Sequence, residues 1–409
     1  MGFRQPTQVG FAHFVAAVST ARLFGMRRST KFWFLLIVLS TPLASACGLA
    51  PLPIPSTPAA ANPTLPEATA PQSPQIFSST WTPAITPPTP GEETAQIGNA
   101  GPVQGTEPVG QSPTPAITPT PNPYAHLTIE YLASRNYGGG ELQIADTLQQ
   151  TSRYTRYLIR FPSDGLNIYG FMNTPQGQGP FPVIIALHGY IDPAVYETLD
   201  YTTDNADAIA RAGYLVIHPN LRGYQPSDSG PNLFRVGMAE DVLNLIAIIK
   251  EQAGKPGPLE FADPQAIGLW GHSMGGGIST RVITASADVA AAVLYGAMSG
   301  DEKRNFEAIY GWSEGQRGLE ELNVPPVVLE RISPANFLDR VQAAVSIHHG
   351  GSDELVPLEW SLEMCERLED LGKTVECFTY PGQPHTIYGE SEDLFNQRVI
   401  EFYDRIFKD

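Results

Sequence analysis

Three cysteines in 409 residues are too few for a disulfide scaffold, so a chain of this length must be held by a hydrophobic core. Long apolar runs are scarce as well. The stretch Phe32 to Leu39 falls well short of the roughly 20 residues that a comfortable membrane span needs. Positive charge is in deficit: the net charge is -17 and no basic stripe appears, which excludes a nucleic-acid partner and mainly implies solubility. The histidines, among them His272 and the pair His348 and His349, lack H-x-x-x-H or Cys/His ligand spacing. No metal and no cofactor is therefore expected.

Composition divides the chain into three parts. Residues 1–47 read as an export signal, with Arg27, Arg28 and Lys31 as its basic region, Phe32 to Leu39 as its apolar region and Ala44-Ser45-Ala46 as a small-residue cleavage site. Cys47 follows directly, and Leu43-Ala44-Ser45-Ala46-Cys47 resembles a bacterial lipobox, whose cysteine becomes the lipidated N-terminus. Lipidation at Cys47, simple cleavage with secretion and an uncleaved anchor all stay open, the first two favoured. Any of them places the rest outside the cytoplasm, and in the favoured readings the membrane is reached only through an N-terminal lipid. Residues 48–123 contain 19 of the 38 prolines, four glutamates and no lysine or arginine, and repeat Thr-Pro-Ala-Ile-Thr-Pro at Thr82 and Thr114. Such a segment cannot bury enough apolar surface to fold, and it reads as a disordered, extended linker.

Residues 124–409 are expected to form one α/β domain. Arg156 to Phe161 and Asn167 to Met172 read as an antiparallel pair joined by Pro162-Ser163-Asp164-Gly165. Short apolar strands at Val183 to Leu187, Tyr214 to His218, Ile267 to Trp270, Val289 to Leu294, Ala344 to His348 and Thr374 to Tyr380 then alternate with amphipathic helices. That pattern predicts a mostly parallel sheet covered by helices on both faces, with ligands at the carboxyl ends of the strands. An irregular cap insertion is expected over 299–334. Cys365 lies on a predicted helix and Cys377 in the following strand. Because sheet-to-helix spacing of about 10 Å exceeds disulfide reach, two buried free thiols are expected, although an exported location would permit a bridge.

The centre of this domain is Ile267 to Ile278, I-G-L-W-G-H-S-M-G-G-G-I. A buried strand runs without a spacer into Gly271-His272-Ser273-Met274-Gly275, and a helix is predicted from near Gly276. This is a G-x-S-x-G elbow, in which a sharp turn exposes the serine at a helix N-terminus that favours developing negative charge. Two further loops carry matching chemistry. Asp353 follows the strand ending at His348, and His385 follows the strand ending at Tyr380. A serine hydroxyl is a poor nucleophile until an imidazole takes its proton, and the imidazole needs a carboxylate to set its tautomer. Ser273, Asp353 and His385 arrive in the order that elbow hydrolases require. Glu354 is the rival acid, one position off. Two N–H donors must hold the oxyanion: Met274, next to the serine, and Tyr190, in the loop His188-Gly189-Tyr190. His188 itself is expected to be a structural hydrogen bonder.

These motifs give residues 124–409 a resemblance to the α/β-hydrolase superfamily, and within it to the catalytic domain of the prolyl oligopeptidase family and its dienelactone-hydrolase-like relatives. It rests on His188-Gly189-Tyr190, Asn220-Leu221-Arg222-Gly223-Tyr224, the elbow, His349-Gly350-x-x-Asp353-x-x-Val356-Pro357 and Tyr380-Pro381-Gly382-x-x-His385. The resemblance implies an α/β-hydrolase fold and a serine-type hydrolase acting on esters or on peptides and amides, with Arg222 in a turn near the site. Peptidases of that family carry an N-terminal β-propeller, whereas here a signal and a linker occupy that space. A stand-alone esterase is thus expected at least as much as a prolyl oligopeptidase-like peptidase. The partner is then a small ester or peptide substrate, and Phe306, Tyr310 and Trp312 of the insertion are candidates to line an apolar acyl pocket. Two other classes stay open: a catalytically silent surface binding module, and a lyase or acyltransferase using the same residues.

Overall fold

The computed structural model describes residues 122–200 and 202–408. The export signal, Cys47 and the proline-rich stretch to residue 121 lie outside the described residues. The first strands are β1 (Gln143–Gln150), β2 (Tyr154–Ser163), β3 (Leu166–Pro175), β4 (Phe181–Leu187) and β5 (Leu215–Pro219). They are followed by β6 (Ala262–His272), β7 (Ala291–Tyr295), β8 (Ala344–Gly350) and β9 (Val375–Tyr380). The helices are α1 (Ile129–Ser134), α2 (Thr203–Arg211), α3 (Val236–Gln252), α4 (Met274–Ala285) and α5 (Glu302–Trp312). Then come α6 (Leu319–Leu322), α7 (Pro326–Ile332), α8 (Leu358–Asp370) and α9 (Glu390–Phe407).

The strands form one sheet in the order β1-β2-β3-β5-β4-β6-β7-β8-β9. β1, β2, β3 and β5 pair antiparallel in succession. From β5 onward every pairing is parallel, as in Val183 beside Leu215 and Gly268 beside Ala291. Alternation along the strands assigns their side chains to two cores. Val183, Ile185 and Leu187 of β4 join the cluster under α3, α4 and α8, whereas Ile184 and Ala186 join the cluster under α2 and α9. Both faces are covered, which is why these strands read as near-continuous apolar runs. The hairpin between β2 and β3 closes over Asp164 and Gly165, with φ 48° and 84°, the left-handed pair that a tight two-residue turn demands.

Four expectations change. β1 was not foreseen, because all eight of its residues are exposed and carry no burial pattern to read. The insertion is not irregular but holds α5, α6 and α7. The elbow helix starts at Met274 rather than near Gly276, since a single residue makes the whole turn. Cys365 of α8 and Cys377 of β9 form a disulfide, with Cα atoms 6.4 Å apart, in place of two free thiols. The 10 Å spacing separates a helix axis from a sheet, whereas Cys365 lies on the core side of α8, where Cα atoms come nearer the sheet, and its observed 6.4 Å separation from Cys377 is inside disulfide range.

Candidate active site

The turns that leave the carboxyl ends of β4, β6, β7, β8 and β9 supply the candidate residues, all at one rim of the sheet. β6 ends at His272 and α4 begins at Met274, so Ser273 alone makes the reversal, at φ 56° and ψ -115°. L-residues rarely adopt such a backbone, and it persists only where the surroundings impose it. A Cβ on Gly271 would lie 2.4 Å from the Gly275 carbonyl oxygen, and one on Gly275 would lie 2.3 Å from that of Leu187. Only glycine fits at either position. The Ser273 N–H donates to the Tyr295 carbonyl at 2.8 Å, and its own carbonyl accepts from the Met298 N–H at 3.1 Å.

Asp353 and His385 meet, with His385 Nδ1 2.7 Å from Asp353 Oδ2. A carboxylate oxygen only accepts, so Nδ1 carries the proton and Nε2 keeps its lone pair. The Asp353 side chain is fully buried and that of His385 is 13 % exposed. Oδ1 of Asp353 accepts from the N–H groups of Leu355 and Val356, at 2.8 and 2.9 Å. Oδ2 accepts a second imidazole, His349, whose Nε2 lies 3.1 Å away. Burial pushes the Asp353 pKa up, but the hydrogen bonds from His349 and His385, the charge of His385 and the Val356 N–H outweigh it. The carboxyl is held far below its usual range.

The serine and this pair are joined through Gly296, at the end of β7. A Cβ there would lie 3.4 Å from His385 Nδ1 and Cε1 and 3.6 Å from Asp353 Oδ2, while Tyr295 and Met298 on either side bond the Ser273 main chain. The hydrogen bonds of His385 run to Asp353 and from His272 Nε2 to its carbonyl oxygen; none joins it to the Ser273 hydroxyl, a contact that often tightens only with substrate. His272 and Gly296 are supports that the motifs did not reveal. His349 stood in a motif without a role.

The loop after β4 packs on the start of α4, since the Leu187 and His188 carbonyl oxygens lie 2.3 and 2.8 Å from a Cβ placed on Gly275. Met274 and Tyr190 therefore belong to adjoining segments. His188 is buried, with Nε2 2.9 Å from the Asn220 carbonyl oxygen and Nδ1 2.7 Å from that of Gly189. Burial lowers its pKa, outweighing those two backbone contacts. The Tyr190 side chain is exposed and lies under the Arg317 guanidinium, 5.2 Å from its centre, with its hydroxyl accepting from Arg317. Arg222 forms a buried ion pair with Asp241 at 2.8 Å and is a scaffold for its turn.

The three proposed pocket residues separate. Phe306 is buried in the core, edge-on to Phe234 at 5.2 Å and under Arg235 at 4.9 Å, as its place on the inner side of α5 dictates, and it does not border the cavity that Trp312 borders. Tyr310 is exposed and packs beside Gly315. Trp312 borders a cavity of about 440 Å³ together with Ala308, Leu355, Pro357 and the acid loop around Asp353.

Residues 200–409, just over half of the chain, match the prolyl oligopeptidase family. Among curated proteins, a putative carboxymethylenebutenolidase of Synechocystis sp. is 22% identical over 251 residues, covering 58% of this chain and 89% of that protein. A lysophosphatidylserine lipase of Danio rerio is 26% identical over 156 residues, 34% of this chain and 37% of the lipase. Among solved structures, a puromycin-hydrolyzing peptidase of Mycobacterium tuberculosis superposes with a TM-score of 0.52 at 19% identity, covering 63% of this chain and 40% of that one. The chain thus spans about two fifths of the latter two proteins, and the structural likeness concerns the fold. With an elbow serine on an α/β-hydrolase sheet, the chain belongs to the prolyl oligopeptidase family and is a serine hydrolase, an esterase or a peptidase.

Proposed function

We propose that Ser273, His385 and Asp353 form the catalytic triad of an exported hydrolase that cleaves carboxylic esters, with peptide or amide bonds as the second substrate class. The Nε2 lone pair of His385 accepts the Ser273 proton as the hydroxyl attacks the carbonyl carbon, and Asp353 stabilises the imidazolium that results. The N–H groups of Met274 and Tyr190 hold the tetrahedral oxyanion, at the positive end of α4. Collapse expels the alcohol or amine, which takes the proton back from His385. Water then hydrolyses the acyl-enzyme by the same steps.

One observation carries this assignment: Tyr295 and Met298, which bond the main chain of the strained Ser273 turn, flank Gly296, which backs the Asp353-bound imidazole. In the purified protein, Ser273→Ala is expected to lower turnover of p-nitrophenyl esters by several powers of ten, and a fluorophosphonate is expected to label the parent protein at Ser273 only. An unchanged rate would reject the assignment. Esters of graded chain length tested beside aminoacyl amides decide between the two substrate classes.

Export is proposed from the basic and apolar regions before Cys47, and the Cys365–Cys377 disulfide suits an oxidising compartment. Cell fractionation is expected to find the protein outside the cytoplasm. Radiolabelled palmitate incorporated by the parent chain and lost in Cys47→Ser marks a lipoprotein; release into the medium marks simple cleavage.

A further inference from the structure

Asp353 accepts hydrogen bonds from the Leu355 and Val356 N–H groups and from His385, and two imidazoles converge on its Oδ2. One is His385, the proposed base. The other, His349, is 1 % exposed and never reaches the solvent-facing side of the site. Its surroundings determine where its proton sits. Nε2 faces two groups that can only accept, Asp353 Oδ2 at 3.1 Å and the Val356 carbonyl oxygen at 3.0 Å. Nδ1 faces the Ser361 hydroxyl of α8 at 2.7 Å, which can give or take a hydrogen bond. The Nε2 atom must therefore carry a proton whether the ring is neutral or charged, with Ser361 donating to Nδ1 in the first case and accepting from it in the second.

We infer that His349 is a positioning residue that divides the charge of Asp353 Oδ2 between two imidazoles and so sets how strongly the carboxylate holds His385 in its protonated form. This rests on the triad proposed above. A carboxylate oxygen that accepts two charge-assisted hydrogen bonds has less electron density for each. Without the His349 donor the carboxylate would stabilise imidazolium more, and the enzyme would lose its free base at a higher pH. The same contacts orient the oxygen: the Leu355 and Val356 N–H groups grip Oδ1, and His349 keeps Oδ2 from turning away.

The other groups around the pair do not supply this function. His272 of β6 lies 4.7 Å from the His385 ring, and burial pushes its pKa down to about 3. Tyr295 of β7 is pushed up by burial, and its hydroxyl accepts from the Ile387 N–H. The carboxylate of Glu354 follows Asp353 in the same loop, and that of Glu392 lies on α9, facing Tyr295. Neither approaches Asp353 Oδ2 as the two imidazoles do, at 2.7 Å for His385 and 3.1 Å for His349.

The test is the pH profile of kcat/KM for a p-nitrophenyl ester. His349→Phe keeps a ring without the donor, and its acid limb is expected to move upward by about half to one pH unit. His349→Gln places an amide N–H near the same point and is expected to restore the limb to the parent value. If both variants keep the parent limb while their melting temperatures fall, His349 is only a packing residue and the inference is lost. Should His349→Phe not fold, histidine-selective 15N spectra of the parent protein, with the His349 signal assigned by its loss in His349→Gln, decide the matter. A protonated Nε2 across the stable pH range is expected, and a bare Nε2 overturns the proposal. Ser273→Ala run in parallel separates the two ideas, because full activity in that variant removes the triad while the spectra still report on His349.

Discussion

At the scale of single residues, the candidate site depends on two positions, Asp353 and Gly296, where even a small change is costly. Asp353 accepts at both oxygens, so Asp353→Asn would turn an amide donor toward donors and favour the opposite His385 tautomer. Ester turnover is expected to fall by about four powers of ten, as for other triads that lose their carboxylate, with substrate affinity nearly kept; a loss below tenfold would point to Glu354 as the acid. Gly296 has φ 49°, and an added methyl would touch the imidazole at 3.4 Å. Gly296→Ala is expected to cost about 1–2 kcal/mol from the left-handed backbone and to lower kcat roughly tenfold, read by steady-state kinetics and urea unfolding. Ser273, Asp353 and His385 were legible in the sequence because each falls in a recognisable loop directly after an apolar strand. Gly296 and His349 were not, because their contacts depend on how neighbouring strands align, which no local spacing records.

At the scale of elements, two linkages hold the loops in place. The disulfide joins α8, which follows the Asp353 loop, to β9, which precedes the His385 loop. Closing a loop with a sequence separation of 12 contributes about 3 kcal/mol by chain entropy, so Cys365→Ser with Cys377→Ser is expected to lower the urea midpoint by that equivalent. A midpoint that does not move would mean the bridge adds nothing. The second linkage is an ion cluster. Arg281, buried on α4, pairs with Glu302 at the start of α5 and donates to the Ile332 carbonyl at the end of α7 at 2.8 Å, while Arg235 pairs with Glu302 at 2.7 Å. The helix behind Ser273 is thus tied to both ends of the insertion. Removing the Glu302 charge by Glu302→Gln leaves two guanidinium groups uncompensated, a loss of about 3–5 kcal/mol, which calorimetry would register. The sequence disclosed where the insertion begins and ends but not its three helices, since the features that pin them are tertiary: a buried charge on another helix and a core phenylalanine.

At the scale of the whole molecule, the carboxyl rim of the sheet carries buried histidines that make the fold sensitive to acid. His218 of β5, His272 of β6 and His348 of β8 each stack on an aromatic ring, Phe171, Tyr295 and Phe378 respectively, with centroids 4.7, 4.2 and 5.1 Å apart. Burial pushes the pKa of each from 6.5 down to about 3. In the unfolded chain the same imidazoles take up protons near pH 6.5. Between pH 6.5 and about pH 3 the unfolded state therefore binds more protons than the folded one. Their contribution to stability is fully present above pH 6.5 and is lost as the pH falls below it. Each proton is worth about 1.4 kcal/mol per pH unit, and burial lowers the pKa of His188 in the same way, so the four imidazoles give a slope of at most about 6 kcal/mol per unit. Asp353 does not confuse the reading, because its depressed pKa draws on stability only below about pH 4. The melting temperature is expected to stay level from pH 8 to 7 and to drop by on the order of 10 °C between pH 7 and pH 5, with His348→Gln reducing the drop by about a quarter. A flat melting curve over that interval would show that these imidazoles charge within the folded protein, and the rim would then be open to water where its packing says it is closed.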